Sequence, residues 1–187
     1  MANERVAPTP PSESFDRGLV EIFTGNGKGK TSAALGIALR ALGHNLRVHI
    51  IFFMKGDYPY NERKVLAQLP NISFSIFGQD YFVDPTNVKP EEKEEAGRAL
   101  SKAREIIHSG NYDVVILDEV NVATAWKLLE ISDVLDLIKN KPKNVELILT
   151  GRYADERLIN SADLVTEMVA IKHPYNRGIK ARSGIDF

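Results

Sequence analysis

The chain has 187 residues, 43% of them apolar and 26% charged, with a net charge of −1. That composition excludes a disordered tail protein, a collagen-like repeat and a coiled coil, and the near-neutral charge argues against general affinity for nucleic acid or acidic membranes. The absence of cysteine rules out iron-sulfur ligation, thiolate zinc sites, thiol nucleophiles and disulfides, and at this length one domain buries roughly 70% of its unfolded surface without such staples.

Residues 1–17 are polar and hold Pro8, Pro10 and Pro11. Lacking an apolar signal core or a membrane-length apolar run, they are expected to form a flexible lead-in to a single domain over 18–187. Short apolar runs at 19–23, 48–53, 72–77, 114–117, 145–149 and 164–169 predict buried strands. Between them, patterns at 30–42, 61–69, 90–109, 122–129, 132–140 and 155–160 predict helices. Gly43 is expected to cap the first helix and Ser132 the fifth. Pro90 followed by the acidic run 91–95 predicts a solvated helix start, because carboxylates complement the positive end of the helix dipole. Strands joined by helical crossovers predict an α/β fold, a mainly parallel sheet with helices on both faces, whose ligands gather at the carboxyl ends of the strands.

The strongest motif follows the first predicted strand: Thr24-Gly25-Asn26-Gly27-Lys28-Gly29-Lys30-Thr31-Ser32. It matches the phosphate loop G-x-x-x-x-G-K-[ST] except that Thr24 takes the first glycine's place. Three glycines in five positions let backbone N–H groups turn into one concavity, and the helix that follows adds its positive end. Lys30 supplies a point charge for phosphate and Thr31 a hydroxyl for Mg²⁺. A glycine turn opening an ordinary helix is the bland reading, and the strand before and helix after the loop favour nucleotide binding instead. The second motif, Val114-Val115-Ile116-Leu117-Asp118-Glu119, ends an apolar strand in two carboxylates. One of them can hold Mg²⁺ directly or through water, and Glu119 can instead orient a water.

Taken in order, Thr24 to Thr31, Met54-Lys55-Gly56, Asn61-Glu62-Arg63, Leu117-Asp118-Glu119, Thr150-Gly151-Arg152 and an ending with Lys172-His173-Pro174-Tyr175, Gly178-Ile179-Lys180-Ala181 and Gly184-Ile185-Asp186 form a series. This series resembles the phosphate-loop class of ATP:corrinoid adenosyltransferases, the cobalamin adenosyltransferases, over nearly all of 18–187. The resemblance implies a RecA-like phosphate-loop core and transfer of the 5′-deoxyadenosyl group of ATP to the Co(I) centre of a corrinoid, with release of triphosphate. Cobalt is then the nucleophile, so no protein serine, histidine or cysteine need attack. His44, His49, His108 and His173 accordingly show no metal-ligand spacing and are expected to be surface or structural groups.

By the same resemblance, Gly25, Asn26, Gly27, Lys28, Gly29, Lys30, Thr31 and Ser32 would line the phosphates, with Lys30 and Glu119 in catalytic roles and Thr31, Glu119 and Asp118 at Mg²⁺. Arg40 and Arg152 are further nucleotide candidates, with a helix-surface charge as the plain alternative for Arg40. In the aromatic segment Phe77-Gly78-Gln79-Asp80-Tyr81-Phe82-Val83, Tyr81 and Phe82 are candidates for displacing the lower ligand of cobalt, against simple strand-edge packing. Trp126 is expected in the core. The basic tail, with Lys172, Arg177, Lys180 and Arg182, is either a lid over the site or a solvated surface. The resemblance also implies a reduced corrinoid as partner, a flavoprotein reductant, a homodimer and a cytoplasmic setting, with no nucleic acid or membrane. A small phosphate-loop kinase or ATPase acting on another acceptor, and a nucleotide-dependent binding module, remain the competing classes.

Overall fold

A mainly apolar strand whose side chains are buried on both faces has none to offer water, so it must lie inside a sheet covered on both sides. The computed structural model, which describes residues 16–56 and 60–186, is built around three such strands. They are β2 (Val48–Phe52), β4 (Val114–Asp118) and β5 (Glu146–Thr150), flanked by β1 (Val20–Thr24), β3 (Ile72–Ile76) and β6 (Leu164–Glu167). The six strands pair in the order β3-β2-β4-β5-β1-β6, and every pairing is parallel. The predicted lead-in lies outside the described residues apart from Asp16 and Arg17.

Alternation along each strand sends side chains to opposite faces, and two cores result. On one face α1 (Lys30–Gly43) and α2 (Glu62–Leu66) cover Phe23, Val48, Ile50, Phe52, Val114, Ile116 and Ile148. On the other, α3 (Pro90–His108), α4 (Val120–Ala125), α5 (Ile131–Lys139) and α6 (Glu156–Ser161) cover Ile22, Ile51, Phe53, Val115, Leu117, Leu147 and Leu149. Each fully buried side chain of this size stabilises the fold by about 1.5–3 kcal/mol relative to leaving it in water.

Several expected boundaries shift for local reasons. Gly43 is the last residue of α1 and not its cap, because the left-handed position that ends the turn falls on Asn45, at φ 60°. Ser132 lies inside the first turn of α5, whose cap is Glu130. The fourth helix begins directly after Glu119 and ends before Lys127, which is left-handed at φ 58°, so it spans Val120–Ala125. α3 starts at Pro90 as expected, but Glu92 is buried and accepts the Lys89 N–H at 2.7 Å, closing a capping box. β6, expected to be buried, is the exposed edge strand.

Candidate active site

The strand order places the carboxyl ends of β2, β4, β5 and β1 side by side, and each contributes to one polar cluster. Asp118, the last residue of β4, is fully buried. Its Oδ1 accepts hydrogen bonds from the hydroxyls of Thr31 at 2.8 Å and Thr150 at 2.7 Å, the first from the start of α1 and the second from the end of β5. Its Oδ2 stands 2.5 Å from the Nζ of Lys55, which follows β2. A buried carboxylate carries a large desolvation cost unless paired and hydrogen-bonded, and Asp118 is both. Burial pulls the Lys55 pKa down, but the Asp118 charge outweighs it and the net direction is up, so the pair stays ionised. The Lys55 ammonium also faces the Tyr60 ring at 4.5 Å and the Phe52 ring at 5.3 Å.

The phosphate loop leaves β1 at Thr24, and its sequence is explained by what surrounds it. Thr24 replaces the usual glycine because its hydroxyl accepts the Ala154 N–H at 3.2 Å, tying the loop to the segment after β5. Gly25 sits at φ 94°, and a Cβ there would stand 2.6 Å from the Met168 carbonyl oxygen. Of the loop N–H groups expected to face the concavity, that of Gly27 donates instead to the Met168 carbonyl at 2.6 Å. Lys30 is buried, its pKa lowered chiefly by burial, and its Nζ donates to the Gly27 carbonyl at 2.6 Å.

Glu119 has a strained left-handed backbone at φ 66°, held by its N–H donating to Thr150 Oγ1 at 3.0 Å. Burial, and then the Asp118 charge, push its carboxyl above the usual range. A desolvated carboxylate beside a threonine hydroxyl whose proton is already committed to Asp118 is an all-oxygen set suited to a hard divalent cation. Among the described residues no group of three or more His, Asp or Glu could hold a metal ion. Both oxygens of Asp118, expected as a ligand, are engaged within the protein, Oδ1 by the Thr31 and Thr150 hydroxyls and Oδ2 by the Lys55 ammonium.

Two cavities meet at this cluster. One, of about 620 Å³, is lined by Gly27, Lys28, Gly29, Lys30, Thr31 and Ser32 of the loop and reaches Gly184, Ile185 and Asp186 in the tail. The other, of about 230 Å³, is walled by Phe53, Tyr60, Phe82, Val122, Trp126 and Tyr153. Lys55, Tyr60, Glu119 and Arg152 line both. Met54, Glu119 and Tyr153, three of the non-glycine residues with positive φ, all border the aromatic cavity, and such strain is retained where surrounding structure over-determines it.

Of the expected residues, Arg40 does not join the cluster. It is exposed on the last turn of α1, ten residues or about 15 Å along the helix axis from Lys30. Phe82 lines the aromatic cavity although 78% exposed, whereas the Tyr81 ring instead carries the Lys89 ammonium at 4.3 Å. Trp126 does both jobs, packing on the core and lining the cavity. His44 and His108 are exposed, and His49 is buried with its ring nitrogens 2.7 and 3.1 Å from the hydroxyls of Ser73 and Ser75. His173 accepts the Tyr175 N–H within the tail. Lys55, Thr150 and Asp186 sit in quoted motifs but carried no expected role; only the strand order reveals the first two.

Comparison with known proteins gives concordant results. A family profile described as "ATP:corrinoid adenosyltransferase BtuR/CobO/CobP" matches residues 16–187. The chain is 33% identical over 184 residues to a corrinoid adenosyltransferase of Escherichia coli, covering 98% of this chain and 93% of the relative. It is 35% identical over 189 residues to one from Sinorhizobium, covering 100% and 86%. Identity is 32% over 189 residues to the corrinoid adenosyltransferase CobA of Salmonella typhimurium, covering 98% and 93%.

Proposed function

The chain belongs to the ATP:corrinoid adenosyltransferase family, ATP-dependent transferases acting on corrinoids, and on that premise we propose that it joins the 5′-deoxyadenosyl group of ATP to Co(I) and releases inorganic triphosphate. The observation that carries this reading is the pair of joined cavities, a cationic one built on the phosphate loop and an aromatic one beside it, sharing Lys55, Tyr60, Glu119 and Arg152. A kinase offers its acceptor the terminal phosphate. Here a polyphosphate held along the loop would point its adenosyl carbon toward an apolar wall suited to a flat macrocycle.

The reaction balances without a protein nucleophile. The Co(I) electron pair attacks C5′, the Co–C bond forms, and the C5′–O bond breaks with its electrons leaving on triphosphate. No proton is transferred in that step. The protein's work is positioning and charge stabilisation. Lys30 would exchange the Gly27 carbonyl for a phosphate oxygen, with Lys28, the remaining loop N–H groups of Gly25, Asn26, Gly29 and Ser32, and Arg152 around the leaving group. Thr31 and Glu119 would hold Mg²⁺, which when bound neutralises charge on the leaving triphosphate. Phe82 would exclude the lower ligand of cobalt, easing reduction to Co(I). Tyr81, whose ring holds Lys89, is the weaker candidate for that role. A flavoprotein reductant, a homodimer and a cytoplasmic setting complete the reading. Among the described residues no helix is long and apolar enough to cross a membrane.

Product analysis tests this reading. Incubation with ATP, Mg²⁺ and chemically reduced corrinoid is expected to yield triphosphate, and ADP as the stoichiometric product would move the chain to the kinases.

A further inference from the structure

The segment that follows β6 begins and ends on the phosphate loop. At its start the Met168 N–H donates to the Thr24 carbonyl at 2.8 Å, and the Met168 carbonyl accepts the Gly27 N–H. Beyond it the chain leaves the sheet. Val169 is 66% exposed and Ile171 89%, and a 3₁₀ turn at Pro174–Arg177 ends on Gly178, at φ 72°. The chain then returns so that Gly184, Ile185 and Asp186 line the phosphate cavity.

The returning end is held by charge. The Asp186 carboxylate accepts the Arg182 backbone N–H at 2.8 Å and its Nε at 3.1 Å on Oδ2, and pairs through Oδ1 with the ammonium of Lys28 in the loop. Its side chain is only 10% exposed. The Lys28 pKa is lowered by burial and by the nearby Arg182 charge, so these two cations repel and stand together because a carboxylate lies between them. A phosphate group meets the same demands with more charge and more acceptor oxygens, and arginine beside lysine is a common way of binding it.

We propose that Lys28 and Arg182 form an anion subsite at the outer end of the phosphate cavity, filled in this structure by Asp186 and taken over by one phosphate of the polyphosphate. Asp186 then acts as an internal competitor that must be displaced, and Arg182 as a phosphate ligand delivered by the tail. The inference rests on the reading of the cavity as a polyphosphate site.

Calorimetric titration of the full chain with inorganic triphosphate in Mg²⁺, for the wild type, Asp186→Asn and Arg182→Gln, tests it. Asp186→Asn keeps the shape and removes the competing charge, so triphosphate is expected to bind about fivefold tighter, the ratio equivalent to an ion pair of about 1 kcal/mol. Arg182→Gln is expected to bind about tenfold weaker, as when a charge-assisted contact is lost. Adenosine, which has no phosphate, serves as the control and is expected to bind all three equally. Wild-type binding with no tightening in Asp186→Asn, or no loss in Arg182→Gln, overturns the subsite while leaving the cavity's assignment standing. Failure of the wild type to bind triphosphate at all overturns both.

Discussion

The buried pair of Lys55 and Asp118 offers a quantitative check on the construction of the site. In Lys55→Met the shape is roughly kept, but Asp118 loses the ammonium 2.5 Å from its Oδ2 and remains a buried charge with only the Thr31 and Thr150 hydroxyls. In Asp118→Asn the two hydroxyls keep an acceptor, while the new amide N–H groups face the ammonium, leaving Lys55 unpaired at 8% exposure. Stranding one member of a buried ion pair costs about 3–5 kcal/mol. For a chain of this size each kcal/mol shifts the melting temperature by about 2–4 °C, so each single variant should melt roughly 6–20 °C lower. The double variant leaves no stranded charge and is expected to recover most of that loss, since a neutral pair of similar volume is often no less stable than a buried ion pair. Urea unfolding at neutral pH of the wild type, both singles and the double gives the coupling directly. Single-variant losses that simply add in the double would refute the pairing.

Other consequences follow from the same geometry. Lys30→Ala should retain the fold, because among the described residues the Lys30 ammonium donates only to the Gly27 carbonyl, yet lower single-turnover rates by about 10²–10³, as when one electrostatic donor to a developing charge is removed. Circular dichroism and a rate measurement check both halves. Phe82→Ala should impair adenosylation from Co(II) with a weak reductant more than reaction of pre-formed Co(I), with Tyr81→Ala the milder change. Equal losses in both regimes, with a lower melting temperature, would instead indicate packing. His49, its pKa lowered to about 4 by burial and the Lys102 charge, is neutral in the folded chain while the unfolded chain takes up its proton below about 6.5. Its contribution to stability is therefore present above pH 6.5 and lost as pH falls toward 4, by roughly 3 kcal/mol in all. An imidazole NMR titration showing protonation near 6.5 in the folded state would contradict that.

The phosphate loop and the sheet centre were legible because their signals are local. Glycine and lysine spacing defines the loop wherever it lies, and the runs of β2, β4 and β5 are mainly apolar because both faces are covered, with His49, Asp118, Glu146 and Thr150 as the exceptions. β6 was misjudged because an apolar run on an edge strand reads like a central one; Leu164 and Val165 are exposed. Gly43 and Ser132 are plausible caps by residue type, but the caps fall on His44 and Glu130. Lys55 and Thr150 could not be assigned from sequence, since their meaning depends on β2 and β5 lying either side of β4. Arg40 stands apart from the cluster for the complementary reason: the rise of α1 places it about 15 Å along the axis from Lys30.

The central claim is that the bond broken in ATP is at the 5′ carbon. The most direct measurement is a single turnover with ATP carrying ¹³C at C5′ and pre-formed Co(I) corrinoid, followed by carbon NMR and phosphate analysis. The account predicts that the label moves to a cobalt-bound methylene resonance in amounts equal to the triphosphate released. Label that stays in ADP or unreacted ATP while wild-type protein and Co(I) are both competent would contradict it.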